Sequence, residues 1–158
     1  MDELARRIGE RLKAAAAVLA TAESCTGGWA AQTVTSVAGS SAWFDRGFVT
    51  YSNAAKRQLL GVRDETLARH GAVSEETASE MARGALQRSD ATVAVSITGV
   101  AGPGGGSADK PVGTVCFAWA TADAVKSETH RFSGDRESVR RQSVIRALEG
   151  VLAALDGG

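Results

Sequence analysis

Ser24 stands at a point in the sequence where a hydroxyl group could act as a nucleophile. The run Val18 to Thr21 is typical of a short buried strand, and Gly27 and Gly28 lead into helical periodicity over residues 29–37. A serine between a strand and a helix N-terminus lies near free backbone N–H groups, which stabilise an oxyanion or a phosphate. Position alone favours a second interpretation, an ordinary helix N-cap, because capping serines are far commoner than nucleophilic ones.

Few side chains in this sequence could serve such a serine as a base. His70 and His130 fall at a predicted helix end and in a predicted strand, which argues against a Ser-His-Asp triad and a metal-ligand cluster. Cys25 has no histidine close in sequence, so we expect a buried structural thiol. A lysine held neutral by burial can also activate serine, and Lys56 follows the polar segment 50–53 within two helical turns. Without further evidence, the sequence favours a solvated helix lysine at position 56.

The segment from Thr98 to Ser107 contains five glycines and follows a strongly β-branched run. It has no Gly-Lys-Ser/Thr ending and lacks the Rossmann spacing, so triphosphate chemistry is not indicated. Its N–H groups could form an anion-binding nest, although an ordinary surface loop fits equally well. Arg136 and Arg140 share one face of the last predicted helix, and an inward-facing arginine would suit a phosphate or a carboxylate. Most such arginines are solvated or ion-paired.

The elements that position these residues alternate between helical and strand patterns, which predicts a single α/β domain over residues 1–158. A first amphipathic helix ends in an alanine run, and a hairpin is predicted from two arms at residues 112–120 and 125–132. Strands are also expected at residues 43–51 and 91–97. Four further helices, ending near residues 60, 70, 88 and 155, begin at the expected N-caps Asn53, Asp64, Ser74 and Asp135.

The composition excludes several classes of protein. The 158 residues include 18 basic and 18 acidic side chains, so the net charge is zero and nucleic-acid binding is disfavoured. The longest apolar run, Ala14 to Ala20, is far shorter than the roughly 20 residues that span a membrane. Two distant cysteines and a start without a signal-peptide pattern predict a cytoplasmic protein. Zero net charge would not oppose association into a homo-oligomer.

Four segments carry a more specific pattern. They are AESCTGGWAAQTVTSVAGSSAWFDRGFVTYSNAAK (residues 22–56), HGAVSEETA (70–78), SITGVAGPGGGSADKPVGTV (96–115) and FSGDRESVRRQ (132–142). In this order and over nearly the whole chain they closely resemble the CinA C-terminal-domain family, and ESCTGG and TGVAGPGGG are its most specific parts.

The resemblance implies a three-layer α/β/α sandwich with a mixed central sheet. It also implies an amidohydrolase that converts nicotinamide mononucleotide and water to nicotinate mononucleotide and ammonia in pyridine-nucleotide recycling, without a metal or organic cofactor. A homodimer is expected on the same ground. Many family members carry an N-terminal molybdopterin-binding-like domain associated with ADP-ribose pyrophosphatase activity. Because this sequence begins directly at the amidase domain, we expect that activity to be absent.

Family site residues fall on matching positions of this chain. The resemblance makes Ser24 the nucleophile and Lys56 its base, a pair that elimination among the side chains also favours, and it places Tyr51 beside them. We expect the oxyanion to meet N–H groups at the turn from Cys25 to Gly27. The implied substrate-binding residues are Thr26, Gly27, Thr98, Gly99, Gly102 and Arg140. Arg140 and the glycine segment are expected to hold the 5′-phosphate.

Two alternatives stay open at this point. One is a non-catalytic nucleotide-sensing or partner-binding domain linked to DNA-uptake competence, which the intact Ser24, Tyr51 and Lys56 disfavour. The other keeps the hydrolase class and changes the substrate to nicotinamide riboside or another pyridine carboxamide. Dependence of the rate on the 5′-phosphate would separate the substrates.

Overall fold

Helices and strands alternate along residues 1–157, which a computed structural model of the chain describes. The helices are α1 (Asp2–Ala14), α2 (Trp29–Thr35), α3 (Asn53–Leu60), α4 (Asp64–His70), α5 (Glu75–Gln87) and α6 (Arg136–Leu155), with a single 3₁₀ turn at Ser40–Ala42. The strands are β1 (Leu19–Glu23), β2 (Phe44–Val49), β3 (Val93–Gly99), β4 (Thr114–Ala120) and β5 (Val125–Arg131). Within the described residues, no helix is both long and apolar enough to cross a bilayer.

The five strands form one mixed sheet in the order β2-β1-β3-β4-β5. β1 runs parallel to both of its neighbours, whereas β4 pairs antiparallel with β3 and with β5. Helices α1, α2 and α6 cover one face, and α3 and α5 cover the other, with α4 packed on α5. The expected three-layer α/β/α sandwich with a mixed central sheet is therefore confirmed.

The pairing of β1 with β2 contains one irregularity. Leu19 pairs with Phe44, but Ala20 pairs with Arg46, so Asp45 is an extra residue in β2. The register then runs evenly to the pair of Glu23 with Val49, where both strands end. Such a bulge shifts every later residue of the bulged strand by one position relative to its partner.

Two of the expected N-caps are wrong. The hydroxyl of Ser52, not Asn53, accepts from the Ala55 N–H at 3.0 Å, because Asn53 already lies inside α3. Helix α4 likewise begins at Asp64 itself, and the preceding Arg63 gives no side-chain cap. The expected caps of α5 and α6 are confirmed, since Ser74 and Asp135 accept from N–H groups three residues further on.

Strand boundaries differ from the predicted ones by up to two residues. β1 begins at Leu19 and continues through Glu23, and β3 begins at Val93 and continues through Gly99. Both strands therefore end two residues closer to the candidate site residues than their apolar runs predicted. Ser24 follows directly on the end of β1.

Candidate active site

The candidate site lies at the carboxyl ends of the three parallel strands. After β1 the chain passes to α2 on one face of the sheet, and after β2 it passes to α3 on the other face. Adjacent strands whose connections leave to opposite faces open a crevice between their carboxyl ends, the usual ligand position in such sheets. Ser24 lies on one side of this crevice and Lys56 on the other.

Ser24 and Lys56 are in direct contact. The Lys56 Nζ atom lies 3.0 Å from the Ser24 Oγ atom, and Ser24 is 8% exposed. The N-cap of α2 is Gly28, so the capping role that position alone favoured for Ser24 is wrong. Lys56 is only 1% exposed, so a solvated helix lysine is also the wrong description of this residue.

The hydrogen-bond partners of Lys56 suit a neutral amine, the form in which a lysine can act as a base. Its Nζ atom lies 3.0 Å from the Thr50 carbonyl oxygen and 3.4 Å from the Tyr51 carbonyl oxygen. A neutral amine has two N–H groups and one lone pair, and the two carbonyl oxygens can only accept. When both N–H groups point at the carbonyls, the lone pair is left for the Ser24 hydroxyl.

Burial lowers the pKa of Lys56, because the ammonium form loses its hydration. Among the described residues no carboxylate lies within 4 Å of Nζ to offset this loss. Lys56 is buried because it shares the inner face of α3 with Leu60, one helical turn further on. The helical spacing of α3 therefore brings Lys56 to Ser24.

Residues 24–28, which we term the nucleophile turn after the role that the sequence predicts for Ser24, are fixed by several hydrogen bonds. The Ser24 N–H donates to the Ile97 carbonyl at 3.0 Å, and the Gly27 N–H donates to the Ser24 carbonyl at 3.1 Å. Arg140 donates from Nε to the Cys25 carbonyl at 3.1 Å and from Nη2 to the Thr26 carbonyl at 3.2 Å. The Arg140 guanidinium thus lies on the turn.

A pocket of about 190 Å³ opens in front of the Ser24 hydroxyl. It is lined by Ser24, Cys25, Tyr51, Asn53, Lys56, Ala72, Val73, Thr98, Gly99, Ala101 and Arg136. Of the nine site residues that the family resemblance implies, five therefore meet here: Ser24, Tyr51, Lys56, Thr98 and Gly99. The other four, Thr26, Gly27, Gly102 and Arg140, are not among its lining residues.

Thr98 and Gly99 form the β3 wall of the pocket. The Thr98 hydroxyl donates to the Ala72 carbonyl at 2.8 Å, which ties β3 to the segment between α4 and α5. A Cβ atom at Gly99 would come within 2.8 Å of the Thr114 carbonyl oxygen. Only glycine therefore allows β4 to pack this closely beside the pocket.

Arg136 and Tyr51 stand at the mouth of the pocket. Arg136 donates from Nη1 to the Gly102 carbonyl at 2.7 Å and from Nη2 to the Tyr51 hydroxyl at 3.3 Å. Within residues 1–157 it has no carboxylate partner at ion-pair distance. Tyr51 is 63% exposed. Sequence reasoning noted Arg136 only as sharing a face with Arg140. Its place at the start of a helix beside the glycine segment was the available signal.

Cys25 lines the pocket as a buried thiol, as expected from the sequence. Burial raises the pKa of Cys25 to about 12, so the reactive thiolate is suppressed at neutral pH. Across residues 1–157 there is no group of three or more His, Cys, Asp or Glu side chains arranged to hold a metal ion. Ala72, Val73 and Ala101, which complete the wall, carry no signal in the sequence that places them here.

The chain and its fold match a known family. A family model described as the CinA C-terminal domain matches residues 1–155. The chain belongs to that family, which confirms the resemblance drawn from its four segments.

Two curated relatives of similar length share one name. The nicotinamide-nucleotide amidohydrolase PncC of Escherichia coli (strain K12) is 60% identical over 149 residues, covering 93% of this chain and 90% of that one. The protein of the same name from Pseudomonas putida is 55% identical over 149 residues, covering 94% and 93%. The hydrolase class expected from the sequence is therefore the class of these relatives.

A solved structure has the same fold throughout. The competence/damage inducible protein CihA from Agrobacterium tumefaciens superposes with a TM-score of 0.94 at 52% identity, covering 98% of this chain and 94% of that one. The chain therefore shares with this structure its complete topology as well as the α/β class that the sequence predicts.

Proposed function

We propose that this protein is a nicotinamide-nucleotide amidohydrolase that uses Ser24 as nucleophile and Lys56 as base. The observation that carries the mechanism is the 3.0 Å contact between Lys56 Nζ and Ser24 Oγ, with two backbone carbonyls placed to accept both N–H bonds of a neutral amine. The names of relatives at 55–60% identity support the substrate. The reaction converts nicotinamide mononucleotide and water to nicotinate mononucleotide and ammonia.

In the acylation half, Lys56 takes the proton of Ser24 while Oγ attacks the carboxamide carbon. The resulting Lys56 ammonium returns this proton to the amide nitrogen, the C–N bond breaks, and ammonia leaves. In the second half, Lys56 takes a proton from water, whose oxygen attacks the ester carbon. The ester C–O bond then breaks, and the proton passes back to Ser24 Oγ.

The tetrahedral intermediates need donors for their oxyanion. The N–H groups of Cys25 and Thr26 make no backbone hydrogen bond within residues 1–157. Both belong to the nucleophile turn, and the carbonyls of the same two residues are held by Arg140. We assign the oxyanion to these N–H groups, which a rigid turn would hold ready before the reaction begins. In this assignment Thr26 and Gly27 contribute through the backbone of the turn.

The pocket size indicates how the nucleotide lies. A volume of about 190 Å³ is below the roughly 300 Å³ at which small-molecule sites usually begin, so the pocket takes the carboxamide and the pyridine ring. The ribose and 5′-phosphate then lie at the mouth, beside Tyr51, Asn53 and Arg136. We propose that Arg136 meets the phosphate together with the glycine segment near Gly102, while Arg140 keeps the turn in place. The positively charged pyridinium favours the neutral form of the nearby Lys56.

Ammonia release from nicotinamide mononucleotide tests the proposal. Wild type, Ser24→Ala and Ser143→Ala are compared without added metal and with a chelator present. Ser143 is a matched control, because its buried hydroxyl donates only to the Val139 carbonyl within α6. We expect release by wild type and Ser143→Ala, and a loss of at least a thousandfold in folded Ser24→Ala. An active Ser24→Ala enzyme would rule out the covalent route. A folded wild type that binds the nucleotide without releasing ammonia would instead support the sensing domain.

The proposed place of this reaction is the recycling of pyridine nucleotides, and the proposed assembly is a homodimer. Val49 and Leu59 are large apolar residues that are 49% and 47% exposed, which suits association with a second copy of the chain. Light scattering after size-exclusion chromatography tests the assembly, since a dimer has twice the 16.3 kDa mass of the chain.

A further inference from the structure

Glu23, which directly precedes Ser24, carries a buried carboxylate with no part in the chemistry above. The residue is 1% exposed and has no basic partner within 4 Å among residues 1–157. Its carboxylate accepts from the Thr26 hydroxyl at 2.6 Å, from the Ala30 N–H at 2.9 Å and from the Ala31 N–H at 3.0 Å. A buried charge is tolerated only where such donors replace its lost hydration.

These bonds supply the cap that α2 does not provide for itself. Its N-cap residue, Gly28, has a φ of 104° and no side chain to accept from the first turn. The N–H groups of Ala30 and Ala31 therefore donate to a carboxylate that lies before the nucleophile turn in the chain. The turn is closed into a ring, with the Glu23 backbone at one end and its side chain at the other.

The same residue is joined to the segment that holds the base. The Glu23 carbonyl accepts from the Thr50 N–H at 2.8 Å, and the Thr50 carbonyl accepts from Lys56 Nζ at 3.0 Å. On the other side of the turn, Arg140 holds the carbonyls of Cys25 and Thr26. Ser24 thus lies in a loop that Glu23 restrains from one side and Arg140 from the other.

We propose that Glu23 is a positioning residue that holds the Ser24 hydroxyl at the distance from Lys56 at which the proton can pass. This inference rests on the proposed function. Glu23 acts through Thr26 and the start of α2, and it touches neither the pocket nor Lys56. A displacement of about 1 Å between reacting groups can lower a rate roughly a hundredfold, so a looser turn should lower turnover and leave nucleotide binding intact.

A comparison of Glu23→Gln with Glu80→Gln tests the proposal, because Glu80 also accepts hydrogen bonds at the start of a helix and does not line the pocket. Its carboxylate accepts from the Arg63 N–H at 2.9 Å, from the Arg63 Nη2 atom at 3.3 Å and from the Thr66 hydroxyl at the start of α4, which also lacks a cap of its own. In either variant the new amide group turns N–H donors toward positions where donors already stand. Both variants should therefore lose stability, and only one should lose turnover.

For Glu23→Gln we expect kcat for ammonia release to fall about 10- to 100-fold with KM changed less than twofold. The rise of activity with pH that reports Lys56 should stay in place, since Glu23 does not contact Nζ. For Glu80→Gln we expect kcat within twofold of wild type and a comparable loss in thermal midpoint. A Glu23→Gln enzyme whose kcat matches that of Glu80→Gln overturns the proposal.

Thr26→Val and Thr26→Ser keep the question answerable if Glu23→Gln does not fold. Thr26→Val removes only the hydroxyl that donates to Glu23, and Thr26→Ser retains it. Lower turnover in Thr26→Val with recovery in Thr26→Ser supports positioning, whereas equal turnover in the two overturns it. Silence from wild type itself would overturn the amidohydrolase and this inference together. An active wild type with equal Gln variants overturns the inference alone.

Discussion

Replacing Lys56 with methionine should lower turnover about 10²- to 10⁴-fold and leave the protein folded. Methionine matches the unbranched shape of the lysine stem and removes the base 3.0 Å from Ser24 Oγ. General base catalysis contributes about 10²- to 10⁴-fold, which corresponds to about 3–5 kcal/mol of activation free energy. Lys56→Arg should lose a similar factor, because an arginine cannot become neutral at ordinary pH.

The stability of Lys56→Met follows from the contacts that the amine makes. Its removal leaves the Thr50 carbonyl without a donor, at about 1–3 kcal/mol, and also removes the cost of burying an amine. One kcal/mol shifts the midpoint of a domain this size by about 2–4 °C, so the variant should stay folded at 25 °C. Calorimetry and steady-state ammonia release measure the two effects. A folded Lys56→Met enzyme within tenfold of wild-type kcat would refute the assignment of the base.

The pH dependence of the same pair of proteins has a definite sign. Burial lowers the pKa of Lys56 below its ordinary 10.5, so the unfolded chain binds more protons between the two values. The stability of wild type should therefore rise with pH across this interval, and that rise should be absent in Lys56→Met. Wild-type kcat/KM should rise with pH through the lowered pKa as the neutral base forms. Urea denaturation and initial rates from pH 6 to 10 measure both slopes.

Two further substitutions probe the pocket mouth and the packing of the helices. Arg136→Ala should raise KM for nicotinamide mononucleotide about 10- to 100-fold, since hydrogen bonds to charged groups contribute about 1.5–3 kcal/mol, and should leave KM for nicotinamide riboside unchanged in steady-state assays. Equal losses on both substrates would contradict phosphate recognition. Gly84→Ala would drive a methyl group into the Leu60 carbonyl between α5 and α3, so calorimetry should show a midpoint lower by about 2–12 °C. An unchanged midpoint would mean that α3 shifts to make room for the methyl group at no cost in stability.

Much of the fold was predictable because each element carries its own local signal. The end of α3 follows from the glycine after Leu60, and the start of α6 follows from Asp135 before Arg136. Ends that depend on tertiary contacts were less predictable. β1 and β3 extend two residues beyond the predicted strands because their neighbours continue the hydrogen-bond ladder.

The site was predictable where chemistry limits the choice of residue. With two histidines, both away from the candidate nucleophile, Lys56 was the remaining base, and the structure places it against Ser24. Arg136 and Arg140 of α6 could not be distinguished in this way. Arg136 and Arg140 share one helix face, and only the fold decides that one reaches the pocket mouth and the other the nucleophile turn. The contacts of Glu23 were also not predictable, because the position of a glutamate at a strand end does not show which groups donate hydrogen bonds to it.

The even register of β2 after its extra residue makes the distance between Ser24 and Lys56 depend on the number of residues in the strand. Each strand residue advances about 3.3 Å, and Ser24 and Lys56 lie on segments that leave paired strand ends. Deletion of one residue after the bulge, between Arg46 and Val49, would draw Thr50 and everything after it back by one such step, more than the whole 3.0 Å contact. Substitutions along β2 keep the number of residues between the strand pairing and Thr50, whereas a single deletion after Arg46 changes it. A deletion in this part of β2 should therefore lower activity more than a side-chain substitution there.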